Sequence, residues 1–342
     1  MSFASQNSDK AKLKQLCIQI LEDETPIVLL NASKELYRLL SDTGGIDENN
    51  IYKNDLITPS GKAIASLWAA MCITDFLRTQ RFFRGIHQAL IDSKAKYPSE
   101  KINILYAGTG PFATLALPIM CLFSKDEVSF TMLEIQETSV NILHKILEYY
   151  DFQDYVCALI KTDATSYQLE KSKRVHIVIS ETMQHALEKE PQVEIAINLA
   201  NQVDNETIWI PQDIKIEVGL MNMKKDNDRQ LGLLSANDTS NIDIGTIFCL
   251  NKKSAKKLNK NLSLSDKVQY KLSGETILAY PWLVLMTTIH IYGDQYLKLW
   301  DSGLYAPRVL VDLAQNKSMP YQVVFWYKTG ASPGFEYKLL YR

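Results

Sequence analysis

At 342 residues the chain is too long for one minimal domain and suits two packed domains, or one domain with a large addition. Hydrophobic residues make up 46% and charged residues 22%, the composition of a soluble globular protein with a sizeable core. The formal net charge of -2 lacks the basic excess of a protein that grips a nucleic-acid backbone, so no nucleic-acid partner is expected.

The N-terminal stretch MSFASQNSDKAKLK has no apolar run of the signal-peptide kind. Residues 10–45 then place Leu13, Leu16, Ile20, Val28, Leu29, Leu36 and Leu39 at helical spacing and end at Gly44-Gly45. A second helical stretch runs from about Ala63 to Lys96 with few breakers. From Ile102 the period changes. INILYA, Ile102–Ala107, is a short apolar run ending in glycines, the mark of a buried parallel strand. Helix-compatible sequence follows over Ala113–Phe123. Further strands are expected at Val128–Leu133, Val156–Ile160 and Val175–Ser180, with helices at Glu137–Tyr150 and Glu194–Val203. Such alternation predicts an α/β fold, a Rossmann-like parallel sheet flanked by helices. After Pro211 the segments Ile214–Val218, Thr276–Tyr292 and Tyr321–Lys328 are rich in β-formers. The expected organisation is therefore an N-terminal helical region, 1–98, packed on a Rossmann-like nucleotide-binding domain, 99–210. A β-rich, barrel-like substrate or dimerisation domain, 211–342, follows. Within it, residues 222–268 are polar and Lys/Asn-rich and read as a solvated excursion or an interaction arm.

The five cysteines, Cys17, Cys72, Cys121, Cys157 and Cys249, are scattered, and no pair has metal-ligand spacing, so no metal site is expected. An odd number of scattered cysteines suits a reducing compartment. The longest apolar runs, such as Ile195–Ala200 and Trp282–Thr287, are too short to cross a bilayer. A cytoplasmic protein with no membrane contact is the expectation.

The central motif is ILYAGTGPFATLALP, Ile104 to Pro118: a strand, a Gly-x-Gly turn at Gly108, Thr109 and Gly110, then a helix. Glycine suits a backbone that turns sharply and passes close to a ligand. NAD-binding folds use the same device, and Ala113, where a third fingerprint glycine falls, is compatible with them. Three acids add to it. Glu134 ends the second strand, where a carboxylate can accept hydrogen bonds from both ribose hydroxyls. Asp163 follows the third strand, where it can bind an adenine amino group, with the N–H of Ala164 reading the ring. Glu181 ends the fourth. Acids at the carboxyl ends of successive strands form a coherent nucleoside site.

SETMQHALEKEP, Ser180 to Pro191, is more specific. Here the chain resembles the protein arginine methyltransferases, class I enzymes that use S-adenosylmethionine. Their double-glutamate loop reads Ser-Glu-x-Met with a second Glu nine residues after the first; Ser180, Glu181, Met183 and Glu190 match it. The family's Asp-x-x-Arg-Thr stands here as Asp75, Arg78 and Thr79 in DFLRT. The motifs cover roughly residues 70–220. The resemblance implies S-adenosylmethionine as cofactor, with Arg78 on its methionine carboxylate and Gly108, Thr109 and Gly110 along methionine and ribose. It also implies Glu134 at the ribose, and Asp163 and Ala164 at the adenine. Glu181 and Glu190 become the catalytic clamp for a guanidinium, a fork that carboxylates orient well. Met183 and His185 are the further substrate-side residues, and His185 can also take a proton; His87 and His144 fall in helices and read as structural.

The chain also departs from the family. Tyr106 stands where the family's cofactor strand carries an acid, and Phe112 where a third glycine belongs. PSGKA, Pro59 to Ala63, replaces the aromatic motif of the N-terminal helix, and neither His290 nor Trp300 reproduces the Thr-His-Trp loop of the barrel. These departures favour a small guanidino substrate, free L-arginine above all, over arginine in a protein or peptide. Two further expectations stand beside it: a class I methyltransferase for another amine or hydroxyl, with the glutamate pair incidental, and a non-catalytic methyltransferase-fold scaffold. A homodimer is expected through the 222–268 segment or the N-terminal helices.

Overall fold

A computed structural model describes residues 3–47, 52–170, 173–233, 235, 238–258, 266–303, 306–316 and 318–342. The N-terminal apolar pattern forms two helices, α1 (Phe3–Glu22) and α2 (Pro26–Gly44). Pro26 opens the second at a position where its missing N–H costs nothing. Gly45, at φ 71°, closes it by donating to Ser41 O at 2.8 Å. Leu13, Ile20, Leu36 and Leu40 are buried against the core.

The stretch read as one helix over 63–96 is divided. A hairpin of β1 (Leu56–Thr58) and β2 (Gly61–Ala63) comes first, then α3 (Ser66–Met71), a 3-10 turn over Cys72–Thr74, and α4 (Phe76–Lys96). The divider is Asp75, whose side chain accepts the Arg78 N–H and caps α4. Apolar periodicity runs through a cap without registering it. The cap places Arg78 in the first turn of α4.

The parallel sheet comprises β3 (Ile102–Ala107), β4 (Val128–Glu134), β5 (Val156–Lys161), β6 (Ile177–Ser180) and β7 (Ile208–Ile210). Its order is β5-β4-β3-β6-β7, every neighbour parallel. The connecting helices α5 (Leu117–Leu122), α6 (Glu137–Tyr149) and α7 (Gln192–Ala200) follow the expected alternation. Strand order reverses between β3 and β6, and Ala107 pairs with Ser180 there. The chain leaves the two strands in opposite lateral directions, which opens a crevice at their carboxyl ends. Gly108 and Glu181 are the next residues on either side of it.

Beyond Pro211 the chain is antiparallel and β-rich. β8 (Asp213–Met221) and β9 (Asn241–Asn251) pair along their lengths, and β11 (Trp282–Tyr292) pairs with the other edge of β8. β12 (Gln295–Leu297) and β13 (Arg308–Asp312) join β11, while β10 (Val268–Lys271), β14 (Gln322–Lys328) and β15 (Gly334–Leu340) make a second sheet. Alternating Ile214, Ile216 and Val218 face the core. Residues 222–268 are not one solvated excursion: α8 (Met223–Gln230), β9 and α9 (Lys252–Lys257) lie within them, and β9 is a full neighbour of β8. Asn241, Asp243, Thr246 and Asn251 masked that strand by their polarity. Residues 234, 236, 237 and 259–265 of this segment lie outside the described residues. Among the described residues no helix is long and apolar enough to cross a membrane.

The β-rich unit docks on the helix that carries Arg78. Gly85 of α4 lies against β11: a Cβ there would sit 2.6 Å from Ile291 Cγ2 and 3.5 Å from Tyr292 Cβ. Gly85→Val should lower stability by about 2 kcal/mol through overpacking, read as a lower urea midpoint at unchanged slope. An unchanged or raised midpoint would contradict this docking.

Candidate active site

The Gly-x-Gly turn behaves as its sequence suggests. Gly108 (φ 76°) and Gly110 (φ 61°) occupy the left-handed region, and a Cβ on Gly108 would lie 2.2 Å from Thr182 Cγ2. The turn is tied to β4, since Gly108 N–H donates to Leu133 O at 2.9 Å. Glu134 is buried, and its two oxygens each accept a backbone N–H at 2.8 Å, from Gly110 and from Gln136. Burial pushes its carboxyl above the usual range, and those N–H groups act against the rise. On the next strand end, Asp163 Oδ1 accepts the N–H and hydroxyl of Thr165, at 2.8 and 2.7 Å. The Ala164 carbonyl is held by Asn198 of α7 at 2.9 Å. Both acids are thus oriented by the protein's own donors.

Arg78 reaches across the crevice to Glu181. Nε donates to Oε1 at 3.3 Å and Nη2 pairs with Oε2, a two-point fork. Both side chains are buried, and the guanidinium also stands 5.5 Å from the centroid of the Phe82 ring. Arg78 therefore has a protein carboxylate as partner, in addition to the ligand carboxylate that the family resemblance implies.

The loop from Glu181 to Glu190 is strained. Ala186 (φ 52°), Leu187 (φ 55°) and Lys189 (φ 68°) all adopt left-handed backbone without being glycine. Its neighbours hold it in place. Ala186 N–H donates to Thr287 Oγ1 of β11 at 2.9 Å, and Tyr327 of β14 donates to Leu187 O at 2.7 Å. Lys189 N–H donates to Pro333 O, and Lys189 O accepts the Lys62 N–H from the hairpin, both at 2.8 Å. At the loop's start, Gln192 Oε1 accepts the N–H and hydroxyl of Thr182.

Glu190 is the product of this arrangement. It is 6% exposed, shares a hydrogen bond with the Gln184 side chain, and has no salt-bridge partner among the described residues. Burial first, and the negative charge of Glu181 second, push its carboxyl up to about 8.

One cavity of about 400 Å³ joins these groups at the carboxyl ends of β3, β4 and β6. Arg78, Gly108, Thr109, Gly110, Glu134, Asp163, Ala164, Glu181, Met183 and Glu190 all line it. His185 does not. It faces the other way, its Nε2 2.9 Å from Glu188 Oε1, and Arg308 Nε donates to the second Glu188 oxygen at 2.8 Å. Burial raises the Glu188 carboxyl, but those two partners outweigh it and hold the group below its ordinary range. Sequence reasoning placed Tyr106 in the cofactor strand, and it lines the cavity, but missed Asp55, Lys62 and Cys72 as cavity-wall residues. Their isolated positions carry no spacing signal; only the fold of the hairpin and α3 over the crevice brings them in. Burial pushes the Cys72 thiol up to about 11. The wall carries five carboxylates, Asp55, Glu134, Asp163, Glu181 and Glu190, against two cations, Lys62 and Arg78. No group of His, Cys, Asp or Glu among the described residues is placed to hold a metal ion.

No family model matches the chain, and no curated protein sequence does. Solved structures do. The PRMT1 enzyme–prozyme heterotetramer of Trypanosoma brucei with AdoHcy is similar at 13% identity and TM-score 0.47, over 79% of this chain and 92% of that one. PRMT6 with SAH is similar at 12% identity and TM-score 0.49, over 75% and 96%. Arabidopsis thaliana protein arginine methyltransferase 10 is similar at 10% identity and TM-score 0.45, over 72% and 85%. The functional reading rests on the side chains of the cavity.

The raised Glu190 carboxyl has a consequence for stability. The fold favours the protonated form, so its contribution is complete below the ordinary Glu range and is lost as pH rises toward 8. Glu190→Gln removes that loss. Its melting temperature should exceed that of the parent at pH 8 by more than at pH 5, a difference on the order of a few kcal/mol in stability. Parallel melting curves across this range would contradict a buried, unpaired Glu190.

Proposed function

We propose that the chain transfers a methyl group from S-adenosylmethionine to a nitrogen of a guanidino group. The observation that carries this reading is that one acidic cavity joins Glu134 and Asp163, at two successive strand ends, to Glu181 and Glu190, whose side chains are both buried.

The residues fit the cofactor in kind. Glu134 sits at the end of β4 with both oxygens oriented by backbone N–H groups and lone pairs left for two ribose hydroxyls. Asp163 and the Ala164 N–H suit the adenine edge. The acidic wall suits a sulfonium cation, and the cofactor, when bound, supplies an electrophilic methyl group. The rest falls to this chain. A guanidinium is cationic and a poor nucleophile. Glu181, paired with Arg78, and Glu190, which has no salt-bridge partner among the described residues, hold the two sides of the acceptor. Accepting its N–H groups concentrates positive charge away from the nitrogen aimed at the methyl group, and fixed positioning lowers the barrier further. The nitrogen loses one proton as the new C–N bond forms. Glu190, titrating near 8, is matched to take it at physiological pH.

Purified protein should convert labelled S-adenosylmethionine and L-arginine or another guanidino compound to S-adenosylhomocysteine and a methylguanidine. Glu190→Gln and Glu181→Gln should each lower kcat/KM by on the order of 10²- to 10³-fold. For the unaltered enzyme, kcat/KM should rise with pH and level off above about 8, because protonated Glu190 cannot clamp a cation. Full turnover by Glu190→Gln would remove the guanidinium clamp. Failure to bind S-adenosylhomocysteine at millimolar concentration would remove the cofactor assignment.

A further inference from the structure

Two side chains of the cavity wall take no part in that scheme. Lys62 stands on β2 and Asp55 just before β1, and Lys62 Nζ donates to Asp55 Oδ2 at 2.7 Å. Their side chains are 26% and 30% exposed, so the pair lines the cavity while staying partly open to solvent. Asp55 is oriented from behind, since its Oδ1 accepts the Ala65 N–H at 2.8 Å. The Lys62 N–H donates to Lys189 O, which seats this residue one position from Glu190 along the strained loop. Both line the same cavity as the two glutamates.

A lysine beside Glu190 is at odds with a pocket built only for a cation. It competes for the carboxylate and repels a guanidinium that approaches. The conflict disappears if the acceptor brings an anion of its own. The Lys62 ammonium has three donors, and Asp55 occupies one. A carboxylate and an ammonium joined by one carbon present charges complementary to this pair: the ligand's carboxylate to Lys62, its ammonium to Asp55. An arginine inside a polypeptide offers neither charge, only an amide N–H and a carbonyl at those positions.

We propose that Asp55 and Lys62 form a head-group subsite for a free α-amino acid, so that the acceptor is arginine itself or a close amino-acid analogue, with its guanidino end between Glu181 and Glu190. This rests on the guanidino-methyltransferase reading above. The methionine part of the cofactor carries the same head group. The Lys62 N–H bond to Lys189 O, next to Glu190, and the electrostatic reach of the Lys62 ammonium to the Glu190 carboxyl favour the acceptor side for the pair, and the cofactor measurements below separate the two.

The test uses the full chain and pairs kinetics with calorimetry. Turnover is compared for L-arginine, for agmatine, which lacks the carboxylate, and for a peptide with one internal arginine. Lys62→Met should lower the ratio of kcat/KM for arginine over agmatine by about tenfold, the effect of one lost charge contact, and Lys62→Arg should restore most of it. Affinity for S-adenosylhomocysteine in Lys62→Met should stay within about twofold of the parent value, as should its preference over 5′-methylthioadenosine, which lacks the amino-acid part. The proposal is overturned by an unchanged arginine-to-agmatine ratio or by a peptide used as well as free arginine. A loss of S-adenosylhomocysteine affinity that parallels the loss for arginine also overturns it, because the pair then serves the cofactor. If the parent protein binds S-adenosylhomocysteine but methylates no guanidino compound, the acceptor reading itself has failed, an outcome separate from these.

Discussion

The arrangement turns on one carboxylate, that of Glu190, buried without a salt-bridge partner among the described residues. Leaving Glu190 in this state is unfavourable, and so is the backbone that puts it there: three non-glycine residues in left-handed conformation cost about 1–3 kcal/mol each. Such a loop persists only where its surroundings over-determine it. Here they do. Thr287 and Tyr327 of the β-rich unit, Pro333 before β15, the hairpin residue Lys62 and Gln192 at the start of α7 each hold part of it. The β-rich unit therefore acts on the site through backbone anchors, and the Rossmann-like sheet supplies the end of β6 from which the loop departs.

The two glutamates are made unlike. Glu181 has a guanidinium of the protein forked onto it, so its charge is balanced before a ligand enters. Glu190 has a hydrogen bond with Gln184 and the repulsion of Glu181, and its carboxyl rises to about 8. A site with two equally ionised carboxylates would carry more repulsion than burial tolerates. Among the described residues Glu181 carries an ion pair and Glu190 carries none. Glu134 and Asp163 are treated differently again, being oriented by backbone and hydroxyl donors of the protein.

The parallel strands were legible because they are short, mostly apolar runs alternating with helical sequence, and the first ends in a turn with glycine where a Cβ has no space, at Gly108 beside Thr182. Glu134, Asp163 and the Glu181/Glu190 spacing were legible because strand ends and loop lengths are linear features. What eluded the sequence is not linear. The division at Asp75 depends on a single cap, which periodicity over 63–96 overrides. The strand β9 is hidden by its polar residues, Asn241, Asp243, Thr246 and Asn251. His185 lies in the loop but turns to Glu188 and Arg308, because left-handed backbone at Ala186 and Leu187 redirects the chain there. The Asp55–Lys62 pair belongs to a hairpin region that lines the cavity by packing on Lys189, Glu190 and Gln136.

The most direct test of this account is difference infrared spectroscopy of the carboxyl band at pH 7 with S-adenosylhomocysteine bound and L-arginine added. The account predicts that one protonated carboxyl, that of Glu190, ionises when the guanidinium arrives, and that the corresponding band loss is missing from Glu190→Gln. Binding of arginine with no loss of a protonated carboxyl, or with the same loss in Glu190→Gln, would contradict it.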